Sequence, residues 1–91
     1  RYRYYRQIYR GNNEMNIEIY SKDHCPFCDK AIHQAQQMVQ ESHHKYTVYK
    51  LGVDFELHEL LEKVPTARTF PQIFIDGENI GGYTEFSKIN D

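Results

Sequence analysis

Two cysteines three positions apart, Cys25-Pro26-Phe27-Cys28, stand where a strand-like stretch gives way to a helix-like one. Upstream, Asn16–Ser21 places Ile17, Ile19 and Ser21 on one face and Asn16, Glu18 and Tyr20 on the other, the period-2 alternation of a strand. Downstream, from Phe27 to about Ser42, Ala31, Ile32, Ala35, Met38 and Val39 recur at helical spacing. Pro26 suits the first helical position, where its missing N–H would have had no partner. A strand feeding directly into a helix limits the chain to folds containing a β-α unit.

The rest of the pattern completes that unit. Lys45–Leu51 has strand composition and ends at Gly52. Leu57, Leu60, Leu61 and Val64 mark a second amphipathic helix, closed by Pro65. Gln72–Ile75 and Glu78–Ile80 flank Asp76-Gly77, one of the strongest two-residue hairpin signals. Thr84 is placed to cap a last helix of barely two turns before Asp91. The predicted order is β-α-β-α-β-β-α, an α/β class. Its first two strands should be parallel around a right-handed crossover. A four-stranded mixed sheet flanked by helices on both faces is the simplest closure.

Ninety-one residues allow one domain. The net charge of -2 divides unevenly. Residues 1–10 (RYRYYRQIYR) carry four arginines and no acid, leaving seven bases against all 13 acids in the remainder. A basic Arg/Tyr arm over residues 1–14, punctuated by Gly11-Asn12-Asn13, therefore precedes a domain over 15–91. Arginines interleaved with Tyr2, Tyr4, Tyr5 and Tyr9 could grip nucleic acid or an anionic membrane. A flexible terminal extension is the expected reading, and nucleic acid is not the expected partner. No apolar run approaches the roughly 20 residues of a membrane-spanning helix.

Cys-x-x-Cys between strand and helix has a redox mechanism. Cys25 lies just before the first helical turn, where unpaired backbone N–H groups and the helix dipole favour an anion. Helix N-termini and nearby cations lower a thiol from about 8.5 into a range of about 3.5–7.5. Lys22 and His24 add positive charge. Cys25 is expected to be the exposed nucleophile and Cys28 the shielded resolving thiol. Zinc is disfavoured, since Cys28 and His43 have finger-like spacing but no second histidine follows at three to five residues. A purely structural bridge would close a loop too short to restrain much of the unfolded chain. One close pair also suits a reducing compartment, so a location in the cytoplasm or another reducing compartment is expected.

Thr69-Phe70-Pro71 precedes a strand. A proline there is tolerated on structural grounds alone. With the cysteine pair upstream, it is read as a cis-proline loop facing the sulfurs.

Together, CPFC after a strand, TFP about forty residues later, a DG hairpin and a GG step resemble a dithiol glutaredoxin over roughly Met15 to Ile89. The resemblance implies a thioredoxin fold, glutathione as co-substrate, no bound cofactor or metal, and a tripeptide cleft. It implies that Cys25 is the nucleophile and Cys28 the resolving cysteine. Lys22 matches the lysine that meets the glycine carboxylate. Phe27 stands where tyrosine is usual and packs beside the tripeptide. Thr69, Phe70 and Pro71 match Thr-Val-Pro, whose middle residue pairs its backbone with the cysteinyl part. Gly82 and Thr84 match the stretch that receives the γ-glutamyl carboxylate, although Thr84 and Glu85 replace a commoner pair of aspartates. His58 falls where glutamine or arginine meets the glycine carboxylate; it is equally read as an ordinary polar helix position.

The activity so implied is reduction of protein disulfides and glutathione mixed disulfides by a monomer. Two alternatives share the motifs: a hydrogen donor reduced by thioredoxin reductase, and an iron–sulfur carrier holding a cluster between two subunits. Pro26 argues against the carrier, since cluster-binding relatives usually lack it.

Overall fold

The computed structural model describes residues 15–41 and 44–89. The Arg/Tyr arm, Ser42, His43 and the last two residues lie outside them. Strand β1 (Asn16–Ser21) leads into α1 (Pro26–Glu41), then β2 (Lys45–Lys50) and α2 (Leu57–Lys63). The hairpin β3 (Gln72–Ile75) and β4 (Glu78–Gly81) follows, and α3 (Tyr83–Ser87) comes last. The sheet order is β2-β1-β3-β4. β1 runs parallel to β2 and antiparallel to β3, and β3 is antiparallel to β4.

Side-chain alternation decides which helix covers which face. Ile17 and Ile19 of β1 join Ile73 and Ile75 of β3, and onto them pack Ala31, Ala35 and Met38 of α1 and Phe86 of α3. The opposite face carries Tyr20 and Phe74, covered by Phe55 and by Leu60 of α2. Tyr20 meets Phe55 and Phe74 edge-on at 5.0 and 5.3 Å between ring centroids, the arrangement favoured by the ring quadrupoles. One face is thus aliphatic, the other aromatic.

The hairpin turns as its sequence predicts: Asp76 and Gly77 both have positive φ (52° and 87°), which a type I′ turn requires. The Asp76 carboxylate also accepts the Asn16 N–H at 3.0 Å, tying the turn to the start of β1.

The end of the chain departs from expectation. Gly82, not Thr84, is the N-cap of α3, and Thr84 lies inside the first turn. Glu85 reaches back to accept the Gly82 N–H at 2.9 Å. Glycine has no capping side chain, so the Glu85 carboxylate supplies one half of a capping box where a threonine cap was expected. Strand β2 also stops one residue early; Leu51 forms only an isolated bridge to Phe55.

Candidate active site

Pro26 opens α1, and the carbonyl of Cys25 accepts the Asp29 N–H at 3.1 Å, so Cys25 occupies the N-cap position. Its sulfur takes the place of a capping oxygen: the Cys28 N–H donates to Cys25 Sγ at 3.2 Å. That bond and the positive end of a sixteen-residue helix favour negative charge on this sulfur. Cys25 and Cys28 are joined in a disulfide, their Cα atoms 5.2 Å apart.

The sequence predicts an exposed Cys25; here it is only 7% accessible, against 1% for Cys28. Packing explains the difference, because the Thr69–Pro71 loop lies over the sulfur. The Phe70–Pro71 peptide is cis, and the Phe70 carbonyl stands 3.7 Å from Cys25 Sγ.

That loop is tied down by two side chains that sequence reading overlooked. Gln72 is buried and donates from Nε2 to the Thr69 carbonyl at 2.9 Å. Its Oε1 accepts from Asn79 Nδ2 at 3.2 Å. Asn79 sits beside an irregularity where the β3–β4 register shifts between Ile73 and Phe74. The available signal was a glutamine immediately after proline in an otherwise apolar strand; a polar group buried there must find a partner.

The other predicted residues spread around this centre. Lys22 is exposed, its Nζ 5.7 Å from the Phe70 ring centroid. Phe27 is 55% exposed, with its ring 6.0 Å from that of Tyr83 and under the Lys30 ammonium. Gly82 and Thr84 lie at the start of α3, with the Gly82 amide already held by Glu85. His58 lies in the first turn of α2, exposed and without a hydrogen bond or ion pair among the described residues. The structure brings Cys25, Cys28, Phe70 and Lys22 together; it shows no contact between His58 and them.

An ion pair braces the loop before the nucleophile. Lys50 Nζ, at the end of β2, lies 2.6 Å from the Asp23 carboxylate, and the hydrogen bond to Lys50 holds Asp23 below its ordinary 3.8. Because that folded value is depressed, the pair's stabilisation is present above the unfolded Asp value and is lost as pH falls through the folded one. The same bond raises Lys50, so its contribution is present below the unfolded lysine value and fades as pH rises through the folded one. Asp23→Asn is therefore expected to melt earlier than the parent near neutrality and to converge with it in strong acid. Melting temperatures of both proteins across the acid range check this; a gap that persists undiminished in strong acid excludes the pair as its cause.

Comparison with known proteins bears on the same elements. A family model described as glutaredoxin matches residues 17–80. Glutaredoxin 3 of Escherichia coli (strain K12) is 33% identical over 67 residues, covering 74% of this chain and 76% of its own length. The solution structure of oxidised Escherichia coli glutaredoxin superposes with a TM-score of 0.70 at 30% identity, covering 80% of this chain and 89% of the other. Oxidised glutaredoxin 2 from Chlamydomonas reinhardtii gives 0.63 at 26% identity, covering 98% and 80% respectively. The architecture is a thioredoxin fold.

Proposed function

The chain belongs to the glutaredoxin family, and from that membership we propose that it is a glutathione-dependent reductase of protein disulfides and glutathione mixed disulfides. The coarser activity, thiol–disulfide oxidoreduction, follows from the family and its Cys25–Cys28 pair. The observation that carries the proposal is the Cys25 sulfur, capped by the Cys28 N–H at a helix start and roofed by the Phe70 carbonyl.

The reaction proceeds by exchange at sulfur. The Cys25 thiolate attacks the glutathione sulfur of a glutathionylated protein, forming a Cys25–glutathione disulfide and releasing the protein thiolate. A second glutathione thiolate attacks the glutathione sulfur of that intermediate, yielding oxidised glutathione and restoring the Cys25 thiolate. With a protein disulfide, Cys25 forms a mixed disulfide with one substrate sulfur and expels the other. Cys28 then attacks Cys25, releasing the substrate and leaving the Cys25–Cys28 bond for two glutathiones to reduce. Rates of such steps depend on thiolate fraction and access.

Within this reading, Lys22 meets the glycine carboxylate, the Phe70 backbone pairs with the cysteinyl portion, and Phe27 packs alongside. Thr69 and Pro71 shape that loop. Gly82 and Thr84 meet the γ-glutamyl carboxylate, which competes with Glu85 for the Gly82 amide. His58 supplements Lys22. Glutathione is a co-substrate, with no resident cofactor, and a reducing compartment such as the cytoplasm keeps the cycle running. No helix among the described residues is long and apolar enough to cross a membrane.

The test is a coupled assay on a small glutathione mixed disulfide, with glutathione plus its reductase in one arm and thioredoxin reductase in the other. Turnover is expected in the first arm. Turnover confined to the second would replace glutathione as the electron donor.

A further inference from the structure

We propose that Phe70 is a positioning residue whose ring holds the Lys22 ammonium at the mouth of the Cys25 cleft, where it meets the glycine carboxylate of glutathione. This rests on the reading of Lys22 given above and adds the reason that this lysine is in place before the ligand arrives.

An exposed lysine is a poor recognition element by itself, because ordering its long side chain costs rotamer freedom. Lys22 is exposed and has no carboxylate partner among the described residues. Its Nζ nevertheless lies 5.7 Å from the centroid of the Phe70 ring. That is within the roughly 6 Å over which the negative face of a ring attracts a cation.

The ring can direct the lysine only if it is itself held, and it is. Phe70 packs against Phe55 with centroids 6.3 Å apart, and Phe55 meets Tyr20 at 5.0 Å. Phe55 and Tyr20 are both buried. A chain of three rings in contact, edge-on and tilted, thus runs from the aromatic face of the sheet to Phe70. The same residue brings its carbonyl to 3.7 Å from Cys25 Sγ. Through one residue, the positive charge is placed relative to the reacting sulfur. Part of the ordering cost is met before binding, which is how pre-organisation raises affinity.

The experiment compares two substrates: the mixed disulfide of glutathione with 2-mercaptoethanol, and its analogue with the glycine carboxylate converted to the amide. The readout is the ratio of kcat/KM for acid over amide, which general loosening of the fold does not move. Lys22→Ala is expected to lower this ratio. Phe70→Leu is expected to lower it about two- to five-fold, the range of an exposed cation–π contact. Phe70→Tyr, which retains the ring face, should restore the parent ratio, and in a Lys22→Ala background Phe70→Leu should add nothing. Phe70→Val provides a second aliphatic variant if leucine is not accommodated.

If Lys22→Ala lowers the ratio while both aliphatic variants retain it, Lys22 binds the carboxylate without help and the positioning role is overturned. An equal loss from Phe70→Leu with and without Lys22 also overturns it. If Lys22→Ala leaves the ratio unchanged, the reading of Lys22 itself is wrong and this proposal goes with it.

Discussion

Cys25→Ser is expected to lose all thiol–disulfide exchange, whereas Cys28→Ser loses reduction of protein disulfides yet still removes glutathione from mixed disulfides. The asymmetry follows from the helix start. Of the two sulfurs, only Cys25 Sγ receives a backbone N–H among the described residues, that of Cys28 at 3.2 Å, so negative charge is favoured on the sulfur that must attack. An unassisted thiol is only a few per cent ionised at neutral pH, and a serine hydroxyl is ionised far less. Cys28 is 1% accessible, and the sulfur within its reach is that of Cys25. It can therefore resolve a mixed disulfide but is poorly placed to begin one. Parallel assays on a glutathionylated small thiol and on a disulfide-bonded protein separate the two roles. Equal loss of both activities in Cys28→Ser would sink the division of labour. Residual exchange in Cys25→Ser well above the rate with free glutathione would sink the assignment of the nucleophile.

The second large effect is on stability. Phe86 is fully buried among the aliphatic side chains of the sheet and α1. It anchors α3, a helix of five residues that could not persist in water unsupported. The Phe86 carbonyl also accepts from Gln34 Nε2 of α1 at 2.8 Å, a bond buried between the two helices. Truncation leaves a cavity, and Phe→Ala at such sites costs about 3–5 kcal/mol. Against a total of about 5–15 kcal/mol for a small domain, Phe86→Ala should be the most damaging single core change on this face. The melting temperature should fall by at least about 12 °C, with Phe86→Leu losing much less. Because α3 carries Gly82 and Thr84, glutathione should also bind more weakly in Phe86→Ala while Cys25 still alkylates. Urea unfolding of the three proteins checks the energetics. A Phe86→Ala protein within about 1 kcal/mol of the parent would show that this contact does not anchor the helix.

The features legible in the chain were those encoded by neighbours in sequence. Alternation in Asn16–Ser21, proline after Cys25, apolar spacing through Met38 and the Asp76-Gly77 pair each specify a local conformation. The structure adopts all four. Their succession also implied the mixed sheet, because a parallel β-α-β crossover followed by a hairpin leaves few ways to close. Where local signals competed, composition misled. Thr84 is a good capping residue, yet Glu85 and Gly82 form the cap, since α3 begins two residues earlier than hydroxyl chemistry suggests.

Pairings between distant residues were beyond any local pattern. No spacing rule connects Lys50 with Asp23, Gln72 with Asn79, or Phe70 with both Lys22 and Phe55. Each depends on which strands became neighbours and which face each side chain met. The cysteines, the helix that follows them and the order of elements were written in the sequence alone, because backbone stereochemistry and apolar periodicity act over a few residues. The roof over Cys25, the accessibility of its sulfur and the ring beneath the lysine were decided only by tertiary packing, which brings residues 22, 25 and 70 within reach of one another.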